Sequence, residues 1–361
     1  MSNIRHIAKM AGVSITTVSR VMNNVAGVSQ AAREAVLAAV NQAGYVPEVG
    51  RRSTSNIALL YTDVPTLDSP FDAALLVGIY EGLQKLGYDL MVLDAHRSRQ
   101  PGESFSHMFL RKGVKGALIR TTTSTQSVCQ EIHREGFPCV VMGYRFDPPA
   151  MRCVFNDSRE ASGKAMEHLI ALGHRRIAIC IHVVEDSDHA DRVAAYRSAL
   201  QAHQIPFDER LVIRVPANRD GGVQAVRRVV TLSDRPTAVF LTDPLISVGV
   251  LCEARRLGLH VPGDLSIVGF DDAELRYALV PQLTSVCQDS KALGREAVTL
   301  LSQLIGGRGD EGHAAKALRC WLEVHDSTGA LSDSLQSVSP PAPPAGRPRR
   351  DQLKVPDLRP N

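Results

Sequence analysis

The sequence has no apolar run approaching the 18 or more residues that a membrane-spanning helix needs. Its first ten residues, MSNIRHIAKM, place Arg5 and Lys9 where an export signal would carry its apolar stretch. A cytoplasmic protein with no membrane partner is expected. Cysteine pairing signals are equally scarce. The seven cysteines, at 129, 139, 153, 180, 252, 287 and 320, form an odd set with no C-x-x-C pair and no histidine at metal-finger spacing. Reduced, mostly buried thiols are expected, with no metal. Nor does the chain contain G-x-S-x-G, H-E-x-x-H, a phosphate loop or G-x-G-x-x-G. The tripeptide SGK at 162–164 lacks the upstream glycine and the following Ser/Thr of a P-loop. No enzyme and no cofactor are expected, although a scaffold alone never excludes chemistry.

What is present fits a soluble globular protein of two or three units: 361 residues, 44% hydrophobic, 22% charged and 5% aromatic. The charge is unevenly placed. Residues 1–52 hold six Lys/Arg against Glu34 and Glu48, whereas residues 53–330 hold 30 basic and 33 acidic side chains. A small basic head on a mildly acidic body suggests that the head meets a polyanion. The last segment, 331–361, carries SPPAPPAGRPRR and seven of the twenty prolines, and is expected to be a disordered Pro/Arg-rich tail.

From Ile57 onward, short β-rich runs alternate with amphipathic stretches. Strands are expected at 57–62, 88–93, 116–120, 138–142, 176–181, 237–242 and 265–270. A helix is expected over 71–86, where Leu75, Ile79, Leu83 and Leu86 share one face before Gly87 ends it. This alternation predicts parallel sheets covered on both faces. The strands are too many for one compact sheet and the pattern restarts at Arg176, so two α/β lobes with a cleft between them follow. Loops after the strands' carboxyl ends should line that cleft.

The first 45 residues differ, with helices expected at about 4–11, 15–23 and 30–43. Asn3, Ser14 and Ser29 stand where N-caps are needed, and Gly44 where a helix-ending glycine belongs. The segment IRHIAKMAGVSITTVSRVMNN has the anatomy of a helix-turn-helix. Ala8 is small at the crossing, Gly12 supplies the turn, and Ile4, Ile7, Val13, Val18 and Val21 form inward faces. The opposite face of the second helix presents Ile15, Thr16, Ser19 and Arg20. Arg pairs with guanine edges, Thr with base edges, and Ile15 suits a thymine methyl. Thr17 and Asn23 are placed to hold phosphates, with Ser14 and Tyr45 as further DNA contacts.

Those residues, followed by VSQAAREAVLAAVNQAGYVP, resemble the DNA-binding head of the LacI/GalR family of bacterial transcription regulators. The resemblance continues through LIALGHRRIAI (169–179), DRVAAYRSAL (191–200), the run 238–272 and PQLTSV (281–286). It covers about residues 3–327. It implies an α/β core of two doubly wound parallel-sheet lobes, similar to periplasmic binding proteins, behind an N-terminal all-α helix-turn-helix head. It also implies a repressor acting on pseudo-palindromic operator DNA as a homodimer or tetramer, controlled by a small polar effector such as a sugar between the lobes. The expected divisions are a head at 1–47, a shortened linker at 48–56 and a core at 57–330. Lobe one is expected at about 57–158 and 290–317, and lobe two at about 159–289 and 318–330. A solute-binding protein with a vestigial head is the alternative; the missing export signal argues against it.

Within the cleft, Arg192 falls where the family's effector-binding arginine lies, and a fork there can hold hydroxyls or a carboxylate. Its other reading is a surface pairing with Asp188 or Asp191. Asp271, after strand 265–270, matches the family's ligand-binding acid, and Asp272 beside it reads as a capping or structural partner. Asp243 and Gln288 match cleft positions. Phe71 and Asp72 sit where the family shows aromatics or small residues, and an acid at 72 favours a hydroxyl- or amine-bearing ligand. Ala217 stands where relatives often carry a sugar-stacking ring; Phe155 either supplies apolar contact or belongs to the core. The acidic run HVVEDSDHAD (182–191) reads as a solvated loop at the cleft mouth rather than a metal site.

The linker departs from the family. Only nine residues, EVGRRSTSN, separate Pro47 from Ile57, about five fewer than usual, and no leucine is present to act as an intercalating wedge. An extended connector is expected, with Arg51 and Arg52 entering or skirting the minor groove.

Overall fold

A computed structural model describes residues 4–22, 25, 27–43, 55–146, 151–307 and 315–331. Asn3, Asn23, Gly44, Tyr45, Arg51, Arg52, most of the linker and residues 332–361 lie outside the described residues.

The head contains α1 (Ile4–Ala11), α2 (Ile15–Met22) and α3 (Gln30–Ala43). Ile7, Ala8, Val18, Val21, Val36, Leu37 and Val40 form its own small core. Gly12 turns the chain between α1 and α2 at φ +66°, a region that suits glycine. Ser14 caps α2 by accepting the Thr17 N–H at 3.0 Å, and Ser29 accepts the Ala32 N–H at 3.3 Å ahead of α3.

The described residues of the remaining chain form twelve strands. The first five are β1 (Asn56–Tyr61), β2 (Asp89–Asp94), β3 (Val114–Arg120), β4 (Cys139–Met142) and β5 (Cys153–Asp157). The next five are β6 (Ile177–His182), β7 (Val212–Val215), β8 (Ala238–Leu241), β9 (Ser266–Asp271) and β10 (Thr284–Cys287). Last come β11 (Ala315–Arg319) and β12 (Trp321–Glu323). They build two six-stranded sheets, ordered β11-β5-β4-β3-β1-β2 and β12-β10-β9-β8-β6-β7. All pairs are parallel except β10 with β12, which is antiparallel. Alternate residues of one strand enter opposite apolar layers: Ala58 and Leu60 on one face of the first sheet, Ile57, Leu59 and Tyr61 on the other.

Local chemistry sets the helices that matter for the cleft. Ser69 caps the helix Pro70–Leu86 by accepting from the Asp72 N–H, Pro70 fills its first turn, and Gly87 ends it at φ 68°. The helix Ser290–Ile305 crosses it so closely that a Cβ at Gly78 would lie 1.9 Å from the Lys291 carbonyl oxygen.

Three segments join the sheets: β5 to the helix Arg159–Ala171, β10 to the helix Ser290–Ile305, and β11 to β12. β5 pairs with β11 and β10 with β12, so these crossings lie side by side. Six of the cysteines are buried, Cys252 is exposed, and all are free. No helix among the described residues is long and apolar enough to cross a membrane.

Candidate functional site

In the head, the exposed side of α2 carries Ile15, 44% exposed, with Thr16 and Arg20 one helical turn apart. Ser19 is half-buried, and the Ser14 and Thr17 hydroxyls lie 2.9 Å apart. The arrangement offers one guanidinium fork, short hydroxyls and one apolar tip to a groove.

The second candidate site is a cavity of about 440 Å³ between the sheets. Its walls come from the loops after β1, β3, β4, β6, β7, β8, β9 and β10, as the strand-end rule requires. Four sequence-predicted residues meet there: Phe71, Arg192, Asp243 and Gln288. Arg192 is buried on the helix Ser187–Ala202. It donates from Nη1 to the Thr242 carbonyl oxygen at 2.7 Å, and its guanidinium lies 3.8 Å from the Phe270 ring centroid. Its Nε is buried with no partner among the described residues, and Asp188 stands 3.9 Å from Nη2. Asp191 instead takes Arg145 and Arg159, so of the two pairings read for Arg192 the one with Asp188 is present, and it is buried rather than on the surface. Asp243 caps the helix Pro244–Arg256 by accepting the Leu245 N–H at 2.9 Å.

Three other candidates do not reach the cavity. Asp72 is 1% exposed and committed to its own lobe: Oδ1 accepts from Arg120 Nε at 2.8 Å, and the Thr66 hydroxyl bonds Oδ2. It is Arg120, its guanidinium 4.6 Å from the Phe71 ring centroid, that lines the wall. Phe155 belongs to the apolar core of lobe one beside Phe146 and Cys153. Asp271 and Asp272 exchange their expected parts. Asp271 accepts the backbone N–H groups of Ala273, Leu275 and Arg276 and pairs with Arg276 Nη1 at 2.7 Å. Asp272 lines the cavity and accepts from Gln288 Nε2 and Ser290 Oγ. Burial pushes Asp272 up to about 6, against the Gln288 hydrogen bond and the Arg192 charge.

In the run 182–191, residues 183–185 form an exposed loop beside the cavity, but Ser187 onward is helix, and His182, Asp186, Asp188 and His189 are wall residues. Asp186 caps the helix Ser187–Ala202, accepting from the His189 N–H at 2.7 Å and lying 2.8 Å from its Nδ1. Burial would raise its pKa, but the His189 contacts and Arg192 outweigh it and hold Asp186 well below the usual carboxylate range. Burial and the charge of Asp186 push Asp188 up to about 7, against Arg192, His189 and Arg120. Burial and His189 hold His182 below its ordinary value. Among the described residues no group of three His, Cys, Asp or Glu is arranged to hold a metal. Sequence reasoning also missed Tyr61 and Arg120, although both end strands that it identified.

Comparison with known proteins agrees with this architecture. Residues 3–48 match the family model for bacterial regulatory proteins of the lacI family, and residues 166–328 that for a periplasmic binding protein-like domain. The ribose operon repressor of Haemophilus influenzae is 33% identical, over 84% of this chain and 92% of its own length. The transcriptional repressor CytR of Escherichia coli is 31% identical, over 91% of this chain and 97% of its own. Among solved structures, a transcriptional regulator CelR–cellobiose complex superposes with a TM-score of 0.68 at 29% identity, covering 91% of this chain and all of that one. A LacI family regulator from Enterococcus faecium with bound ribose gives 0.65 at 25% identity, covering 77% of this chain and all of its own. A helix-turn-helix head on a two-lobed ligand-binding core defines a DNA-binding regulator. The chain belongs to the LacI family of bacterial transcriptional regulators.

Proposed function

We propose that the protein is a cytoplasmic repressor that binds pseudo-palindromic operator DNA as a homodimer or tetramer and changes operator affinity when a small polar effector occupies the interlobe cavity. The observation that carries this reading is the presence, in one chain, of an exposed groove-reading face on α2 and a polar cavity walled by both lobes. Thr16, Ser19 and Arg20 read base edges, Ile15 meets a thymine methyl, Thr17 and Asn23 hold the backbone, and Ser14 and Tyr45 add further DNA contacts. Arg51 and Arg52 supply cations to the minor groove from an extended connector. Phe71, Arg192, Asp243 and Gln288, joined by Asp272, receive the effector. Closing the lobes around it shifts a population of dimer geometries rather than making a new fold.

The test is selection of binding sites from a random duplex pool with the wild type and Arg20→Ala. The wild type should enrich an inverted repeat whose affinity falls steeply with salt, and the variant should lose selectivity at one base pair per half-site, a cost of about 1–3 kcal/mol. Identical preferences for both proteins would remove Arg20 from base readout, and no enrichment at all would overturn the assignment of the head.

A further inference from the structure

The charges around the cavity restrict what can enter it. Six carboxylates, Asp63, Asp68, Asp186, Asp188, Asp243 and Asp272, line it against two arginines. Both guanidiniums are already engaged. Arg120 donates to Asp72 at 2.8 Å and to the Met142 carbonyl oxygen at 2.9 Å while lying over Phe71. Arg192 donates to Thr242 and lies over Phe270. Arg192 keeps its Nε unpaired among the described residues, but Asp188 stands 3.9 Å from its Nη2 and an anion would enter against an excess of carboxylates. The Phe71 and Phe270 rings each already carry a guanidinium over one face, and Ala217 offers no ring.

The carboxylates differ in how they are satisfied. Asp186 has His189, Asp243 has the Leu245 N–H, Asp272 has Gln288 and Ser290, and Asp63 has Thr122 at 3.3 Å. Asp188 is different: it is 7% exposed, and its only partner among the described residues is Arg192 at 3.9 Å. A buried carboxylate normally takes two or three donors, so its vacant acceptors call for a donor from within the cavity. Two further groups present unmet hydrogen-bonding capacity in the same walls. The Tyr61 hydroxyl belongs to a residue 3% exposed and is buried without a partner among the described residues, as is Arg192 Nε.

We infer that the cavity selects a small ligand carrying a protonated amine beside hydroxyl groups, with the ammonium received by Asp188. Its hydroxyls then meet Arg192 Nε and the Tyr61 hydroxyl. The inference rests on the reading of this cavity as the effector site and names the chemistry of its occupant.

The groups facing Asp188 are Asp186, His189 and Arg192 on its own helix, Arg120 from β3, and Cys320 from the segment between β11 and β12. Burial and Asp186 push Asp188 well above the usual carboxylate range, toward neutrality, so the empty cavity favours the proton on this carboxyl. An arriving ammonium favours the carboxylate, and the proton leaves to the buffer. Affinity therefore rises with pH through neutrality until the ligand amine itself deprotonates.

The experiment is calorimetry and thermal shift on the full-length protein with matched triplets: a hexosamine, its parent hexose and the hexose 6-phosphate, in the gluco, galacto and manno series. The amine should bind at least tenfold more tightly than its neutral parent in one series, with the phosphate weakest. Its binding enthalpy should vary with the ionisation enthalpy of the buffer at pH 7, reporting proton release. Asp188→Asn should cost tenfold or more in amine affinity and abolish that buffer dependence while leaving far-ultraviolet dichroism unchanged. A neutral or phosphorylated member binding as tightly as its amine, no amine binding in any series, or amine affinity unchanged in Asp188→Asn would each overturn the inference. Operator affinity measured alongside separates the two readings. An amine that binds through Asp188 without moving operator affinity would sink the effector assignment and leave this one standing; a neutral sugar that moves it would do the reverse.

Discussion

Replacing Asp271 with alanine tests whether this carboxylate belongs to the scaffold or to the ligand site. Asp271 is 1% exposed and accepts three backbone N–H groups, from Ala273, Leu275 and Arg276, at 3.1 to 3.2 Å. It also pairs with Arg276 Nη1 at 2.7 Å, and the Arg276 side chain is itself only 8% exposed. Truncation leaves a buried guanidinium with one carboxylate in place of two and uncaps the turn after β9. Breaking a buried ion pair costs about 3–5 kcal/mol. Glu323, 2.7 Å from Arg276 Nε, remains and places the expected loss near the lower end, about 3 kcal/mol. With a urea dependence of about 2 kcal/mol per molar, the midpoint of second-lobe unfolding should fall by about 1.5 M. Asp271→Asn keeps an acceptor for the turn and should lose clearly less. The assay is urea unfolding followed by far-ultraviolet dichroism, with ligand affinity measured in parallel. A midpoint within about 0.3 M of wild type, combined with lost ligand binding, would refute the scaffold role and return Asp271 to the cavity.

Gly78→Ala forces a methyl against the Lys291 carbonyl, a backbone atom with no rotamer to yield, and should destabilise by at least ~1–3 kcal/mol in a thermal melt; an unchanged melt would mean that the two helices separate freely. Burial raises the Glu103 carboxyl, but hydrogen bonds from Arg111, with His107 and the Gln100 N–H, outweigh it and hold the group down at about 2. Its folded value is depressed, so its contribution, on the order of 3 kcal/mol, is present above pH 4.5 and lost as pH falls toward 2. Glu103→Gln should therefore flatten the loss of stability across that window, and an acid-unfolding curve parallel to wild type would contradict the assignment. For the connector, Arg51→Ala/Arg52→Ala removes four cations from a dimer on its operator and should reduce the salt slope of binding by about 3–4, and the operator should show no sharp central kink. A strong kink or an unaltered slope would count against an extended, wedge-free connector.

Much of the architecture was legible because helix and strand periods are long-range patterns. The helix Pro70–Leu86 announced itself by Leu75, Ile79 and Leu83 on one face, a serine cap and a closing glycine. The strands that escaped were short or atypical. β10 reads TSVC, which looks polar, yet it is fully buried because Ser285 donates to the Leu283 carbonyl and Thr284 to that of His325. β11 and β12 are edge strands with exposed positions and no apolar run. At the cavity, Arg192, Phe71, Asp243 and Gln288 were accessible from position, whereas Asp271 and Asp272 were assigned to the wrong faces. Adjacent residues at a strand end point to opposite sides, and composition does not say which faces the cleft. The run 182–191 looked like solvated loop because its charge was counted without its cap. Asp186 starts a helix there, and the first turn carries Asp188 and His189 into the wall. A D-x-x-H spacing ahead of a helical pattern was the available signal.

The central claim is that occupancy of the cavity alters what α2 does on DNA. Its most direct measurement is operator affinity by fluorescence anisotropy, using the selected inverted repeat and the full-length protein, with and without a ligand that fills the cavity. In the wild type the ligand should change affinity by tenfold or more, a coupling of about 1.4 kcal/mol, and in Arg192→Ala the same ligand concentration should change nothing. A ligand shown by calorimetry to fill the cavity that leaves wild-type operator affinity unmoved would contradict the account.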